Sequence, residues 1–494
     1  MPIIIGIDSL FLFGRQNIYI RCNSTTMKTT LIIFIFFLGY GCWSQDYHHW
    51  SEHFGARASL LGGAATAGLG DNATSYYNSA AMAFVENPSM SVSVNAYRMR
   101  LLKVENGIGE GFDLEESSFS TMPNLIAGVM DFKKHPKLRL GYSVLTRRSF
   151  NSKVDFLNEQ DDEILPQFAG AERWVYAYNL RHQLMEYWAG FGISYQVSKG
   201  FSIGLSHFGI YRDVKYNQAF SISILPQDFS GLEVYQFSNV NSFNYYNVKG
   251  VFKPSIALNV ENFKFGLTYT TPSFNMFGKA KAYREISYIN WKDISSEIDV
   301  DVQIVDRIEN IKAQHKEFGS LAIGVSWRLG KKAWLHFTNE TYFGGKEYYI
   351  FDADEKPSIY PDAFTEEQLE SLILGDQNFI SLKEQTEART NIGMGLEAQI
   401  AKKWNLYLGA RTDFLYNEIP EERNESAMFI ESSRWQLYHF SLGLGYLSKK
   451  NKRYTVGIEY GAAGMNFLKV YGNSSSNSFK LLMEIEVGKP PSDQ

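Results

Sequence analysis

Along most of the chain apolar and polar residues alternate one for one, in segments of about nine to twelve residues separated by connections. Tyr438, Phe440, Leu442, Leu444 and Tyr446 form an unbroken apolar series, with His439, Ser441, Gly443 and Gly445 between them. A period of two is the signature of a β-strand with one apolar and one polar face. Eight rises of about 3.4 Å at a tilt near 40° put the two bracketing tyrosines roughly 21 Å apart, close to the ~25 Å apolar band of a transmembrane barrel. Trp404 and Phe414 bracket a second such series through Leu406, Leu408 and Ala410, with Arg411 and Asp413 on the opposite face.

Fourteen segments follow the rule, near 90–100, 123–132, 137–148, 185–197, 201–212, 250–260, 264–271, 317–328, 333–342, 388–400, 404–415, 434–447, 454–462 and 478–487. Short, mostly basic turns (133–136, 198–200, 261–263, 329–332, 401–403, 448–453) alternate with long connections (149–184, 213–249, 272–316, 343–387, 416–433, 463–477). Soluble β-sandwiches alternate in residue pattern too. Short turns on one rim and long loops on the other are what outer-membrane barrels show, with both termini on the periplasmic, short-turn side, and this lowers the sandwich reading. A lipid-exposed sheet must also close on itself, because an open edge leaves unpaired backbone groups in hydrocarbon. The expected fold is therefore all-β: a 14-stranded antiparallel transmembrane β-barrel.

Composition agrees with this. Aromatic residues make up 15% of 494 residues, with 36 Phe and 30 Tyr, yet mean hydropathy is only -0.24. That excludes a helical membrane protein and suits strands whose polar faces offset their apolar ones. A net charge of -5 gives no electrostatic case for nucleic acid. An apolar run at 31–38, preceded by Met27-Lys28 and followed by Cys42-Trp43-Ser44, reads as an export signal cut after Ser44. A lipoprotein signal would need a Leu-like residue where Gly39 stands. Cys22 and Cys42 both precede the cut, leaving the mature chain without a thiol. Residues 1–26 read as an upstream start-site extension, 27–44 as the signal peptide, 89–487 as the barrel and 488–494 as a periplasmic tail. A lumen this wide needs filling. The Gly- and Ala-rich stretch within 45–88 is the candidate, read as a small helical plug.

Within it, the run 55–68 (GARASLLGGAATAG) and the run 71–82 (DNATSYYNSAAM) resemble the hatch of the FadL/TodX family of outer-membrane transporters for long-chain fatty acids and other hydrophobic compounds. Weaker echoes lie at 265–272 and 406–411. The resemblance implies a hatch-plugged barrel, ligand capture by extracellular loops, release past the hatch and sideways exit through the wall near the third strand. It points to Asn78, Ser79, Ala80 and Arg57 as hatch or ligand residues. The family's Asn-Pro-Ala signature is Asn78-Ser79-Ala80 here, without the proline that fixes the local backbone. The implied partners are the outer-membrane bilayer and a hydrophobic small molecule, for a monomer that uses no cofactor. A second reading has a FadL-like barrel serving as a non-transporting subunit or interaction platform of a protein-secretion system.

Parity places Glu397, Arg411, Asp413, His439 and Glu459 toward the lumen. Such residues pair with one another or with a plug, and no enzyme is expected. His48, His49, Glu52 and His53 have the spacing of a metal site but read as a polar N-terminus. Asp352, Asp354, Glu355 and Asp362 lack the turning glycine of a calcium loop. The stretch 62–70 is no phosphate loop, since no Lys-Ser/Thr follows it. Residues 362–374 read as a short amphipathic helix on the long-loop rim.

Overall fold

The structure is a computed structural model that describes residues 48–86, 89–104, 114–162, 171–226, 234–290, 301–353, 358–359, 379–414, 436–448, 452–463 and 474–488. The expected leader at 1–44, the helix at 362–374, the tail beyond 488 and Asp354, Glu355 and Asp362 lie outside the described residues.

The strands are β1 (Ser89–Val104), β2 (Leu114–Asp131), β3 (Leu138–Asp162), β4 (Glu172–Gln196), β5 (Phe201–Pro226), β6 (Tyr235–Val260), β7 (Phe263–Thr270), β8 (Phe274–Ile289), β9 (Val302–Lys312), β10 (Ser320–Leu329), β11 (Ala333–Tyr342), β12 (Gly345–Asp352), β13 (Ser381–Thr386), β14 (Arg389–Ala401), β15 (Trp404–Asp413), β16 (Leu437–Leu447), β17 (Lys452–Ala463) and β18 (Ser474–Gly488). Fourteen of them close into an antiparallel ring, β1 to β7, then β10, β11 and β14 to β18, with β18 returning to β1. The ring contains all fourteen segments expected from the alternation. β8 and β9 add to the outer half of β6, and β12 pairs with β13 alone.

The ring's outward face is apolar: Phe191, Ile193, Ile203, Leu205, Phe440, Leu442, Ile458 and Met483 are all exposed. Trp404 packs against Tyr446 at the short-turn edge, and Tyr211 stacks with Tyr246 at the other. Among the described residues no helix is long and apolar enough to cross a membrane.

Three expected loops are corrected by the structure: 149–184 and 213–249 are mostly strand, because β3 to β6 run for 25 or 26 residues each, and 272–316 is mostly strand because it holds β8 and β9. Along β4 the outward residues Tyr195, Ile193, Phe191, Tyr187 and Met185 are apolar, but beyond them outward positions become Gln183, Arg181 and Asn179. The apolar residues there, Leu184, Leu180, Tyr178, Tyr176 and Trp174, face inward and are buried. The hydrophobic phase inverts where the strand leaves the bilayer. A pattern reader meets two adjacent apolar residues, Leu184 and Met185, and ends the strand. The wall built from β3 to β6 projects roughly 30 Å past that point.

Residues 48–86 lie inside the ring. They contain helix α1 (Ala56–Leu60), helix α2 (Thr74–Tyr77) and a 3-10 helix (Ser79–Phe84). Positions 48–69 and 71–82 are buried throughout. α1 packs on β15 to β18 and the 3-10 helix on β3 to β6. His48 sits beside Asp413, at the long-connection end of β15, and the segment descends to Asn72, which bonds Ser89 at the short-turn end of β1. Glycines on the inner wall allow this fit. A Cβ at Gly266 would lie 2.0 Å from the Thr66 carbonyl oxygen, and one at Gly324 would lie 2.4 Å from the Ala67 nitrogen. Backbone cannot retreat as a flexible side chain can.

Replacing Gly324 with Val is therefore expected to unseat the segment near Ala67 and destabilise the plugged barrel by about 1–3 kcal/mol. Thermal loss of the folded band on unboiled gels, read with single-channel conductance in planar bilayers, checks it. Wild-type stability and a silent pore would show that the segment does not press on β10.

Candidate functional site

The start of the inner segment is strapped to the wall by charge. Arg411 forms a two-point ion pair with Glu459 at 2.5 and 2.8 Å and donates to the carbonyls of Trp50 (3.0 Å) and Ser51 (3.3 Å). Asp413 accepts from the Trp50 N–H at 2.9 Å and the Ser51 hydroxyl at 2.8 Å. His439 lies 3.3 Å from Glu459 and 3.8 Å from Asp413. Lys480 pairs with Glu52 and Glu459, both at 3.1 Å. Four of the five polar residues read as lumen-facing thus meet at one strap.

The fifth, Glu397, belongs to another contact. It pairs with Arg57 at 2.5 Å, while Arg57 also reaches Asp71 at 3.3 Å and the Leu69 carbonyl at 2.8 Å. Glu484 of β18 accepts from the Arg57 N–H at the start of α1. Asn78, Ser79 and Ala80 form a third contact, on β6. The Asn78 amide donates to the carbonyls of Thr66 (2.8 Å) and Ile256 (3.1 Å). Ser79 shares a hydrogen bond with the Ser255 hydroxyl, which also accepts from the Ala80 N–H. The serine in the proline position is anchored to the wall instead.

The histidine and glutamate cluster at the segment's start does not converge. His48 turns to Asp413, His49 stacks on Tyr342 at 3.8 Å, Glu52 pairs with Arg98 at 2.8 Å and His53 meets the Tyr77 hydroxyl. A different trio does converge: Glu186, His315 and Glu317 bring ligand atoms within 4.8 Å of one another. The Lys249 ammonium already stands among them, 2.6 Å from His315 and 3.0 Å from Glu317.

Beside the strap lie two adjoining cavities of about 40 and 20 Å³ that share His49, Tyr76, Arg147, Lys253, Thr270, Glu340 and Tyr342. Arg147 donates to the His49 carbonyl at 2.6 Å and the Tyr342 hydroxyl at 3.2 Å. Lys253 sits 3.9 Å above the Tyr76 ring. Neither cation was singled out from the sequence. The signal was the doublet Arg147-Arg148, which breaks the alternation of β3 where the structure has a bulge between Thr146 and Arg148. An aromatic path leads to this place from the projecting wall: Trp174, Tyr235 and Phe237, then Tyr178, Tyr216 and Phe243, then Trp188 and Phe208. β12 and β13 cover its middle with Phe351 and Leu382.

At the same bulge the barrel ladder is interrupted. β2 and β3 pair only from Asp131↔Arg139 to Leu125↔Leu145. Beyond, β2 continues on β1 and β3 on β4, and side chains bridge the seam. Arg98 donates to the Ser149 carbonyl at 3.2 Å, Arg100 to that of Asn151 at 3.3 Å, and the Ser152 hydroxyl to Glu116 at 2.8 Å. Arg98 is also the partner of Glu52, so one guanidinium touches both the inner segment and the seam.

A closed ring of fourteen strands around a buried N-terminal segment defines an antiparallel β-barrel with an occupied lumen. Its fold is that of the FadL/TodX hydrophobic-compound channels. The chain superposes on the toluene transporter TodX of Pseudomonas putida with a TM-score of 0.56 at 13% identity, covering 90% of this chain and 99% of that one. A FadL homologue of Pseudomonas aeruginosa gives 0.54 at 10% identity, over 89% and 99%. No protein-family model matches the sequence, and no curated protein matches it.

Two outcomes follow from the strap. Arg411→Leu leaves Glu459 buried without its two-point partner and is expected to destabilise the fold by about 3–5 kcal/mol, read by urea unfolding in detergent. Unchanged unfolding would show that the pair carries no weight. Burial, then the Arg148 guanidinium, holds the His49 imidazole well below its ordinary range, and burial, then Arg411, does the same to His53. The unfolded histidines protonate near pH ~6.5 while the folded ones stay neutral, so this stability is full above that pH and falls by about 2 kcal/mol per histidine by pH ~5. Hydrogen exchange of the inner segment is expected to rise over that window; a flat profile would remove the histidines from its control.

Proposed function

We propose that the protein is a passive outer-membrane channel for hydrophobic small molecules, long-chain fatty acids or hydrocarbons, which enter from the long-connection side and leave sideways at the β2–β3 seam. The observation that carries the reading is that seam, an interrupted ladder bridged by side chains, at the foot of an aromatic inner wall. Lateral exit spares an apolar chain a passage through water, worth roughly 0.8 kcal/mol per CH₂. Arg147 and Lys253 beside the cavities suit a carboxylate head group. The cavities are only large enough for water. Ligand passage therefore needs the inner segment to shift, and a shift that frees Glu52 also releases Arg98 from its second partner. In this reading residues 45–88 are the hatch, the export signal is removed, the short turns and the end of β18 face the periplasm, and the protein acts as a monomer.

Locking the seam tests it. The Glu116 and Ser152 side chains meet across the gap, so the pair Glu116→Cys and Ser152→Cys can be bridged by a short bis-methanethiosulfonate linker that thiols cleave. Uptake of labelled oleate by cells is expected to fall to background after cross-linking and to recover on reduction. Full uptake with the seam locked would overturn lateral exit. Equal uptake with and without the protein would overturn transport and favour a secretion-partner role.

A further inference from the structure

Just outside the apolar band, the outward face of the projecting wall carries a belt of exposed cations: Lys153, Arg181, Lys215, Lys279, Lys281 and Lys312. They come from β3, β4, β5, β8 and β9. Each on β4, β5 and β8 lies two to six residues beyond an outward aromatic of its strand, Tyr187, Tyr211 or Phe277. At strand rise and barrel tilt that is about 5–16 Å above the aromatic ring, the depth of lipid head groups.

The belt is not neutralised by the protein. The acids on the same outward rows are Asp155, which pairs with Lys153 at 2.8 Å and Arg181 at 3.9 Å, Asp213, Glu285, which accepts from the Tyr283 hydroxyl, and Glu309, which pairs with Arg307 at 2.7 Å. With Arg307 counted, seven outward cations face four carboxylates. Among the described residues Lys215, Lys281 and Lys312 have no acidic partner within salt-bridge distance. Two like-charged pairs stand directly opposite across strands, Lys153↔Arg181 and Lys279↔Lys312. Such pairs destabilise a bare sheet, and an external anion removes the penalty. Lys215 and Lys281 flank Asn244 on one row, which sets their Cα atoms roughly 10 Å apart. The low half of the ring has no equivalent: its outward ends on β11, β15, β16 and β17 are Thr341, Thr412, Tyr438 and Tyr460.

We propose that this belt binds the phosphate-bearing head groups of lipids in the leaflet around the projecting half of the barrel. Aromatic rings hold the acyl boundary and the cations hold the phosphates directly above it. Because the belt covers one half only, bound lipid fixes the height and tilt of the projecting wall.

The test uses the full protein in phosphatidylcholine nanodiscs containing spin-labelled phosphatidylglycerol or spin-labelled phosphatidylcholine, with the motionally restricted fraction as readout. The wild type is expected to prefer the anionic label. The quadruple variant Lys215→Gln, Lys279→Gln, Lys281→Gln and Lys312→Gln is expected to lose preference several-fold, up to about five-fold for each cation removed. Its folded band on unboiled gels confirms an intact barrel, since all four side chains are exposed. An unchanged preference in the folded variant would overturn the proposal. Loss of the wild-type preference on adding inorganic phosphate at constant ionic strength would overturn it in favour of a free-anion site. The readout needs no transported ligand, so it stands or falls apart from the channel reading.

Discussion

Hydrocarbon offers no hydrogen-bond partner to a peptide group, and the rest of this structure follows from that constraint. Every strand that meets lipid must be paired on both sides, so fourteen strands close into a ring with β18 against β1. Closure at that number leaves a lumen that side chains alone cannot fill. The chain fills it with its own N-terminal segment, whose backbone comes against the wall where glycines stand. The inner polar groups of the barrel are then matched to backbone groups of the segment. Arg411 and Asp413 serve Trp50 and Ser51, and Lys253 serves the Tyr76 carbonyl.

The same constraint gives meaning to the one place where the ladder fails. Above Leu125, the adjoining edges of β2 and β3 are not paired with each other, and guanidinium groups take over part of the bonding. A side-chain bridge can be released one group at a time while the paired part of the ladder below it stays intact. The bulge that ends the ladder also turns Arg147 inward, so the weak line in the wall and the charged cavity arise from the same extra residue.

Much of this was legible in the sequence, and what was not has a common cause. Strand count, closure and the buried position of a Gly- and Ala-rich segment follow from period-two patterning and from lumen width. The length of β3 to β6 did not, because parity was read as if the solvent stayed the same along the strand. At Leu184 and Met185 the apolar phase moves from the lipid face to the inner face, since lipid gives way to water outside and to a protein core inside. Parity also named Arg411, Asp413, His439 and Glu459 but not their grouping. Neighbourhood around a ring depends on register, which the bonded pairs Arg411↔His439 and Ser441↔Glu459 supply.

The phase inversion also bears on how a ligand would travel. Within the bilayer the inner wall is polar and occupied, while above it the inner wall is aromatic from Trp174 down to Trp188. An apolar molecule therefore finds favourable surface only as far as the level of the bulge, where the lumen turns to charge at Arg147, Glu186 and Lys253. Continuing straight down would set it among buried ion pairs and the packed segment, where desolvation works against it. Moving outward through the seam returns it to hydrocarbon at once. On the proposed channel reading the direction of passage would be set by where along the wall the apolar lining stops, and it stops beside the unpaired edges of β2 and β3.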